Sequence, residues 1–246
     1  MSTLDPKEIE KFSALAREWW DPNGKFRPLH LLGPARLIYV KKIIGEHFGI
    51  DLSLQKPFQT LSLLDVGCGG GLMCEPLARL GANVTGLDAS LDAIQVAQAH
   101  AQQNNLNIQY CHGRIETFTE QQNQYDVLLL LEILEHVPDY PHFIETCSRA
   151  LRPGGVMILS TLNRTLNSFG LAIMGAEYIL RWLPIGTHDW NAFITPDELE
   201  NALSTSHLKA FDTTGLIYNP FRTQDVSNGW TLSDDVDVNY FIAAKK

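Results

Sequence analysis

Residues 61–71 read LSLLDVGCGGG, and residues 83–88 read NVTGLD. A strand with one wet face alternates apolar and polar residues, so the short apolar run before the glycines predicts a strand buried on both faces. It ends at Asp65-Val66-Gly67, and Gly69, Gly70 and Gly71 follow almost at once. Glycine reaches backbone conformations that other residues avoid and lets the main chain approach a ligand closely. A buried strand, a glycine turn and then a helix open an α/β unit whose ligand site lies at the carboxyl edge of the sheet.

The same alternation continues outward. A helix after the glycines is expected to stop at Gly81, and NVTGLD gives a second strand. Ser90 is placed to cap a helix with Leu91, Ile94, Ala97 and Ala101 on one face. IQYCHG (108–113), YDVLLLLEIL (125–134), VMILST (156–161), LKAFDTTGLIY (208–218) and VDVNYFIAAK (236–245) bring the predicted strands to seven, with a helix near 141–151 closed by RPGG. Such alternation predicts a mostly parallel sheet with helices on both faces. No helical pattern separates the last two strands, which are therefore expected as an antiparallel pair at one edge. The chain reads as a single domain, 1–246, with an N-terminal helical cap (1–50) and an insertion (163–195).

Of the 246 residues, 45% are hydrophobic and 19% charged, enough apolar material for a core and contrary to disorder. The net charge of -9 and the lack of a dense Lys/Arg run argue against nucleic acid as a partner and suit a cationic ligand. Cys68, Cys74, Cys111 and Cys147 form no CxxC pair, which fits a reduced compartment and no structural zinc. The first residues carry charge and no apolar run, and no stretch approaches the roughly 20 apolar residues needed to span a bilayer. The expectation is a cytoplasmic protein, soluble or peripheral on the inner membrane face.

Asp88 ends the second predicted strand, where a carboxylate can accept hydrogen bonds from both ribose hydroxyls of an adenosine. A dinucleotide fingerprint would need Gly or Ala at position 72, but Leu72 stands there. The aspartate at 65 followed by GxGxG resembles motif I of the class I S-adenosylmethionine-dependent methyltransferases. That resemblance implies a Rossmann-like, seven-stranded sheet and S-adenosyl-L-methionine as cofactor, at a loop including Gly67 and Gly69. Longer stretches, FSALAREWWDPNGKFRPLHLLGPARLIYV (12–40), LEILEHVPD (131–139) and 160–190, with GLIYNP and DVDVNYF, resemble the ubiquinone-biosynthesis O-methyltransferase family over essentially the whole chain. The resemblance implies cofactor contacts at Arg36, Gly67, Asp88 and Leu131, and a polyprenylated phenol or catechol as substrate. Arg36 suits a two-pronged contact with a carboxylate. Trp19 and Trp20 either roof the pocket or pack an N-terminal helix.

A phenol with a pKa near 10 is about one part in a thousand ionised at neutral pH, a deficit of about 4 kcal/mol for methyl transfer to oxygen. His136 is a candidate general base, with His188 as a rival. Glu132, Glu135 and His136 would share one face if the chain turned helical after its strand. In eukaryotic relatives the matching residues are read as magnesium ligands, which extends to Mg2+ as a second candidate cofactor here. The other reading is an acceptor cleft without metal. FGLAIMGAEYILRWL (169–183) is apolar nearly all round and too short to span, which suits a helix lying in a membrane surface, with contact expected through 166–183. Association with other enzymes of the ubiquinone pathway is a further expectation. Alternatives are a C-methyltransferase or small-phenol O-methyltransferase of the same fold, an NAD-dependent oxidoreductase, or a non-catalytic lipid-binding scaffold.

Overall fold

Ser62–Val66 forms β1, and its neighbours on the two sides come from well-separated parts of the chain: β2 (Asn83–Asp88) and β4 (Tyr125–Leu131), both parallel to it. Beyond β2 lies β3 (Gln109–His112), and beyond β4 lies β5 (Leu151–Leu162), also parallel. The computed structural model describes residues 6–120, 124–170, 189–219 and 224–246. β6 (Lys209–Tyr218), β7 (Trp230–Ser233) and β8 (Asn239–Lys245) complete a sheet of order β3-β2-β1-β4-β5-β8-β6-β7.

The sheet thus has eight strands, not seven. The additional one, β7, lies within the stretch read as a connection and pairs antiparallel to β6. Its four residues, all half-buried, are too few to carry an alternation. The antiparallel pairing of β6 with β8 is as expected, but β8 lies between β5 and β6, antiparallel to both, and β7 takes the edge. β4 stops at Leu131, three residues short of the reading, because Glu132 turns to φ +52. β5 starts earlier than expected, at Leu151, with the pairing to β4 shifting register across Arg152–Gly155.

Two helices precede the sheet, α1 (Pro6–Leu15) and α2 (Arg27–Phe48). Then come α3 (Cys74–Arg79), α4 (Leu91–Gln103), α5 (Ile115–Thr119), α6 (Tyr140–Ala150), the single turn α7 (Leu166–Ser168) and α8 (Pro196–Thr205). Ser90 caps α4 as expected, its Oγ accepting from the Ala93 N–H at 3.2 Å. Of the predicted insertion, residues 171–188 lie outside the described residues. With them go most of the helix read over 169–183 and the rival base His188.

Side chains on a strand alternate between faces, and both faces of this sheet are covered. Leu63, Val127, Leu129, Val156 and Ile158 pack on one side with Tyr39, Ile43 and Ile44 of α2. Leu64, Leu128, Leu130, Met157 and Leu159 pack on the other with Phe143 and Ile144 of α6 and Leu199 and Leu203 of α8. The four leucines at 128–131 are continuous because alternate members serve opposite cores. Chain order reverses between β1 and β4, so the carboxyl ends of β1, β2 and β4 frame a crevice of the kind in which open α/β sheets hold ligands.

Candidate functional site

The turn after β1 needs its glycines. Gly67 and Gly69 have φ of +75 and +52, values that L side chains rarely adopt. Space is closed to them as well. A Cβ on Gly67 would lie 2.3 Å from Ile133 Cδ1, and one on Gly69 would lie 2.4 Å from Trp19 Cη2. Asp88, at the end of β2, ties this turn to the next one. Its Oδ2 accepts from the Gly69 N–H and its Oδ1 from the Ser90 N–H, both at 2.8 Å. Burial raises the Asp88 carboxyl above its ordinary range, against the lowering effect of those two donors.

Arg36 reaches the crevice from α2 and is 4% exposed. Its Nη2 lies 3.3 Å from Glu132 Oε1 as an ion pair, yet neither Nε nor Nη2 has a hydrogen-bond partner among the described residues. Asp65, in β1, is the other nearby acid, and burial pushes its carboxyl up to about 6 despite the Cys74 thiol and the Arg36 charge. Leu131 is half-buried at the end of β4, opposite Ser160. Register places it level with Gly67, since Asp65 pairs with Leu129. Arg36, Gly67, Gly69, Asp88 and Leu131 therefore gather at one sheet edge.

The three candidate metal ligands do not assemble into a ligand group. The left-handed turn at Glu132 replaces the helical continuation that the spacing required. Only Leu134–His136 then forms a turn of 3-10 helix. Glu132 Oε1 accepts from Ser160 Oγ at 2.8 Å, Glu135 Oε2 accepts from Thr161 Oγ1 at 2.8 Å, and His136 Nδ1 meets Glu8 Oε2 at 2.8 Å. Burial, and then the Glu132 charge, raise the Glu135 carboxyl. Among the described residues no three His, Cys, Asp or Glu side chains are grouped to hold a metal ion. The residues present do not fit Mg2+.

The N-terminal segment covers this edge. Trp19 lies against Gly69 and Gly70 and stacks on Phe26 at 3.8 Å. The Trp20 Nε1–H donates to the Gly70 carbonyl at 3.0 Å, and its ring stacks at 3.5 Å on His100, which Glu75 holds at 2.6 Å. Ser13 and Ser90 hydroxyls meet at 2.6 Å. The two tryptophans therefore roof the glycine turn as well as packing the N-terminal elements.

Residues 64–159 match the methyltransferase domain family. The ubiquinone biosynthesis O-methyltransferase of Chelativorans sp. (strain BNC1) is 50% identical over 245 residues, 100% of this chain and 95% of the relative. That of Cereibacter sphaeroides is 50% identical over 244 residues, 99% of this chain and 97% of the relative. The chain belongs to the ubiquinone biosynthesis O-methyltransferase family. Membership makes it an S-adenosylmethionine-dependent O-methyltransferase. Among solved structures, magnesium protoporphyrin IX methyltransferase from Synechocystis with bound SAH superposes with a TM-score of 0.65 at 18% identity, over 96% of this chain and 94% of that one. The plantazolicin methyltransferase BpumL in complex with SAH gives 0.63 at 21% identity, over 98% and 97%. At those identities the likeness bears on the fold.

The residues fit an adenosyl cofactor with an amino-acid tail: a glycine turn in left-handed backbone, a carboxylate at the end of β2, and a buried guanidinium whose Nε and Nη2 have no hydrogen-bond partner among the described residues. Sequence reasoning missed Glu8, Ser160 and Thr161. Glu8 read only as a helix residue and the other two only as strand, and no local spacing links them to partners more than twenty residues away.

Proposed function

We propose that this chain transfers the methyl group of S-adenosylmethionine to a hydroxyl of a polyprenylated phenol or catechol precursor of ubiquinone, with His136 as general base. The observation that carries this reading is the contact between Glu8 and His136 at the point where β4 leaves the sheet. A carboxylate within ion-pair distance of Nδ1 favours the proton on that nitrogen, which leaves the lone pair on Nε2. The cofactor supplies an activated methyl group on a sulfonium. Arg36 binds its carboxylate, Asp88 its ribose hydroxyls, and the turn at Gly67–Gly69 with Leu131 sets the position of its tail. His136 Nε2 takes the acceptor hydroxyl proton as the oxygen gains the methyl group, which removes the deficit of phenolate at neutral pH. Trp19 and Trp20 cover the glycine turn on its outer side. Glu132 and Glu135 have protein partners, and magnesium has no part in this reading.

A polyprenyl chain stays in the bilayer, so the same reading brings the enzyme to a membrane surface through 166–183. Leu166 and Phe169, at the start of that segment, are 84% and 43% exposed, which supports it. No helix among the described residues is long and apolar enough to cross a membrane.

Labelled S-adenosylmethionine and a short-chain prenyl catechol test the reaction. Methylated product is expected with EDTA present, and His136→Ala should lower kcat by roughly a hundred-fold or more, within the range for loss of a positioned base. No product under any condition, or product only when Mg2+ is added, would overturn the reading.

A further inference from the structure

Four non-glycine residues among those described have positive φ: Asn105, Glu132, His207 and Asn228. Asparagine and histidine are the types that tolerate the left-handed region, whereas a glutamate there is unusual and strained, and strain of this kind clusters at functional sites. At Glu132 it accompanies a specific arrangement. The Glu132 N–H still donates to the Ser160 carbonyl at 3.0 Å. Meanwhile Oε1 receives the Ser160 hydroxyl at 2.8 Å and faces Arg36 Nη2 at 3.3 Å. One residue of β5 thus fixes both the backbone and the carboxylate of Glu132.

The partner it faces is incomplete. A guanidinium that is 4% exposed, with Nε and Nη2 lacking hydrogen-bond acceptors among the described residues, is costly unless something else supplies them. Two adjacent N–H groups of an arginine match the two oxygens of a carboxylate. We propose that Glu132 is a positioning residue for the amino-acid tail of the cofactor. Anchored by Ser160, it holds the buried Arg36 guanidinium with its unmet N–H groups set for the tail carboxylate, and it does so without a metal. This rests on the reading that Arg36 receives that carboxylate.

Calorimetry with two ligands separates the possibilities. S-adenosylhomocysteine carries the amino-acid tail, and 5′-methylthioadenosine lacks it. Arg36→Ala and Glu132→Gln should each weaken the first by about ten-fold or more, and the second by less than about two-fold. The effect should be equal in EDTA and in Mg2+. Ser160→Ala should shift affinity in the same selective direction by a smaller factor, and Glu132→Gln should raise KM for S-adenosylmethionine more than it lowers kcat. Equal weakening of both ligands by Glu132→Gln, no weakening, or a loss confined to Mg2+ would overturn the proposal. If Arg36→Ala shows no selectivity, the assignment of Arg36 fails first. If Arg36→Ala is selective and Glu132→Gln is not, only the role of Glu132 fails. Should Glu132→Gln not fold, as judged by circular dichroism, Ser160→Ala decides: selective loss supports the proposal and its absence overturns it.

Discussion

Gly69 answers to two demands at once, a φ of +52 and an indole carbon where its Cβ would be. Only the first was legible in the sequence, because a turn signal is local while the approach of Trp19 comes from fifty residues earlier in the chain. The same division runs through the site. Gly67, Gly69 and Asp88 could be read because strand, turn and acid follow one another closely. The Arg36–Glu132 pair could not, since its partners meet only when α2 packs against the face of the sheet. Asp65 belongs to both groups: its place in the motif was legible, its burial was not. With its carboxyl raised from 3.8 to about 6, the folded state binds that proton more tightly than the unfolded chain does. The stabilisation is complete below pH ~4, near the unfolded pKa, and is lost as pH rises through about 6, with two units worth about 3 kcal/mol at most. Melting temperatures of Asp65→Asn and the parent chain, taken without cofactor, should therefore diverge in favour of the variant between pH 5 and 7.5. Parallel curves would count against the shift.

At the scale of elements, apolar runs and caps carried most of the reading, and errors came where a strand was short or ended on a special residue. β7 escaped because four half-buried residues leave no pattern, and β4 was overdrawn because IL after Glu132 looks like more strand. The metal triad was overdrawn for the same reason: its spacing assumed a helix that the left-handed turn at Glu132 prevents. Ser90 is the cap whose loss should be felt twice. Its hydroxyl takes the Ala93 N–H at the start of α4 and also meets Ser13 on α1. Ser90→Ala should cost about 1 kcal/mol in denaturant unfolding. It should also raise the dissociation constant for S-adenosylhomocysteine, because the cap sits next to Asp88 and under the N-terminal cover. An unchanged dissociation constant would show that the cap serves α4 alone.

For the whole molecule, the order of helices and strands was enough to give the fold class, since a buried parallel sheet dictates both the alternation and the edge at which ligands bind. Attachment to lipid is a property at this same scale. Replacing both Leu166 and Phe169 by glutamate should reduce co-flotation with liposomes several-fold while leaving the melting temperature unchanged, given that both side chains are substantially exposed. Equal flotation would remove those two residues from any lipid contact. The threading of β8 has another consequence. It follows β6 and β7 in the chain but sits between β5 and β6. During synthesis, then, β6 and β7 can pair with each other but not with β5, whose open flank must wait, a bare template for stray pairing, until β8 has emerged. Until β8 closes it, the flank of β5 is the part of this sheet most open to aggregation.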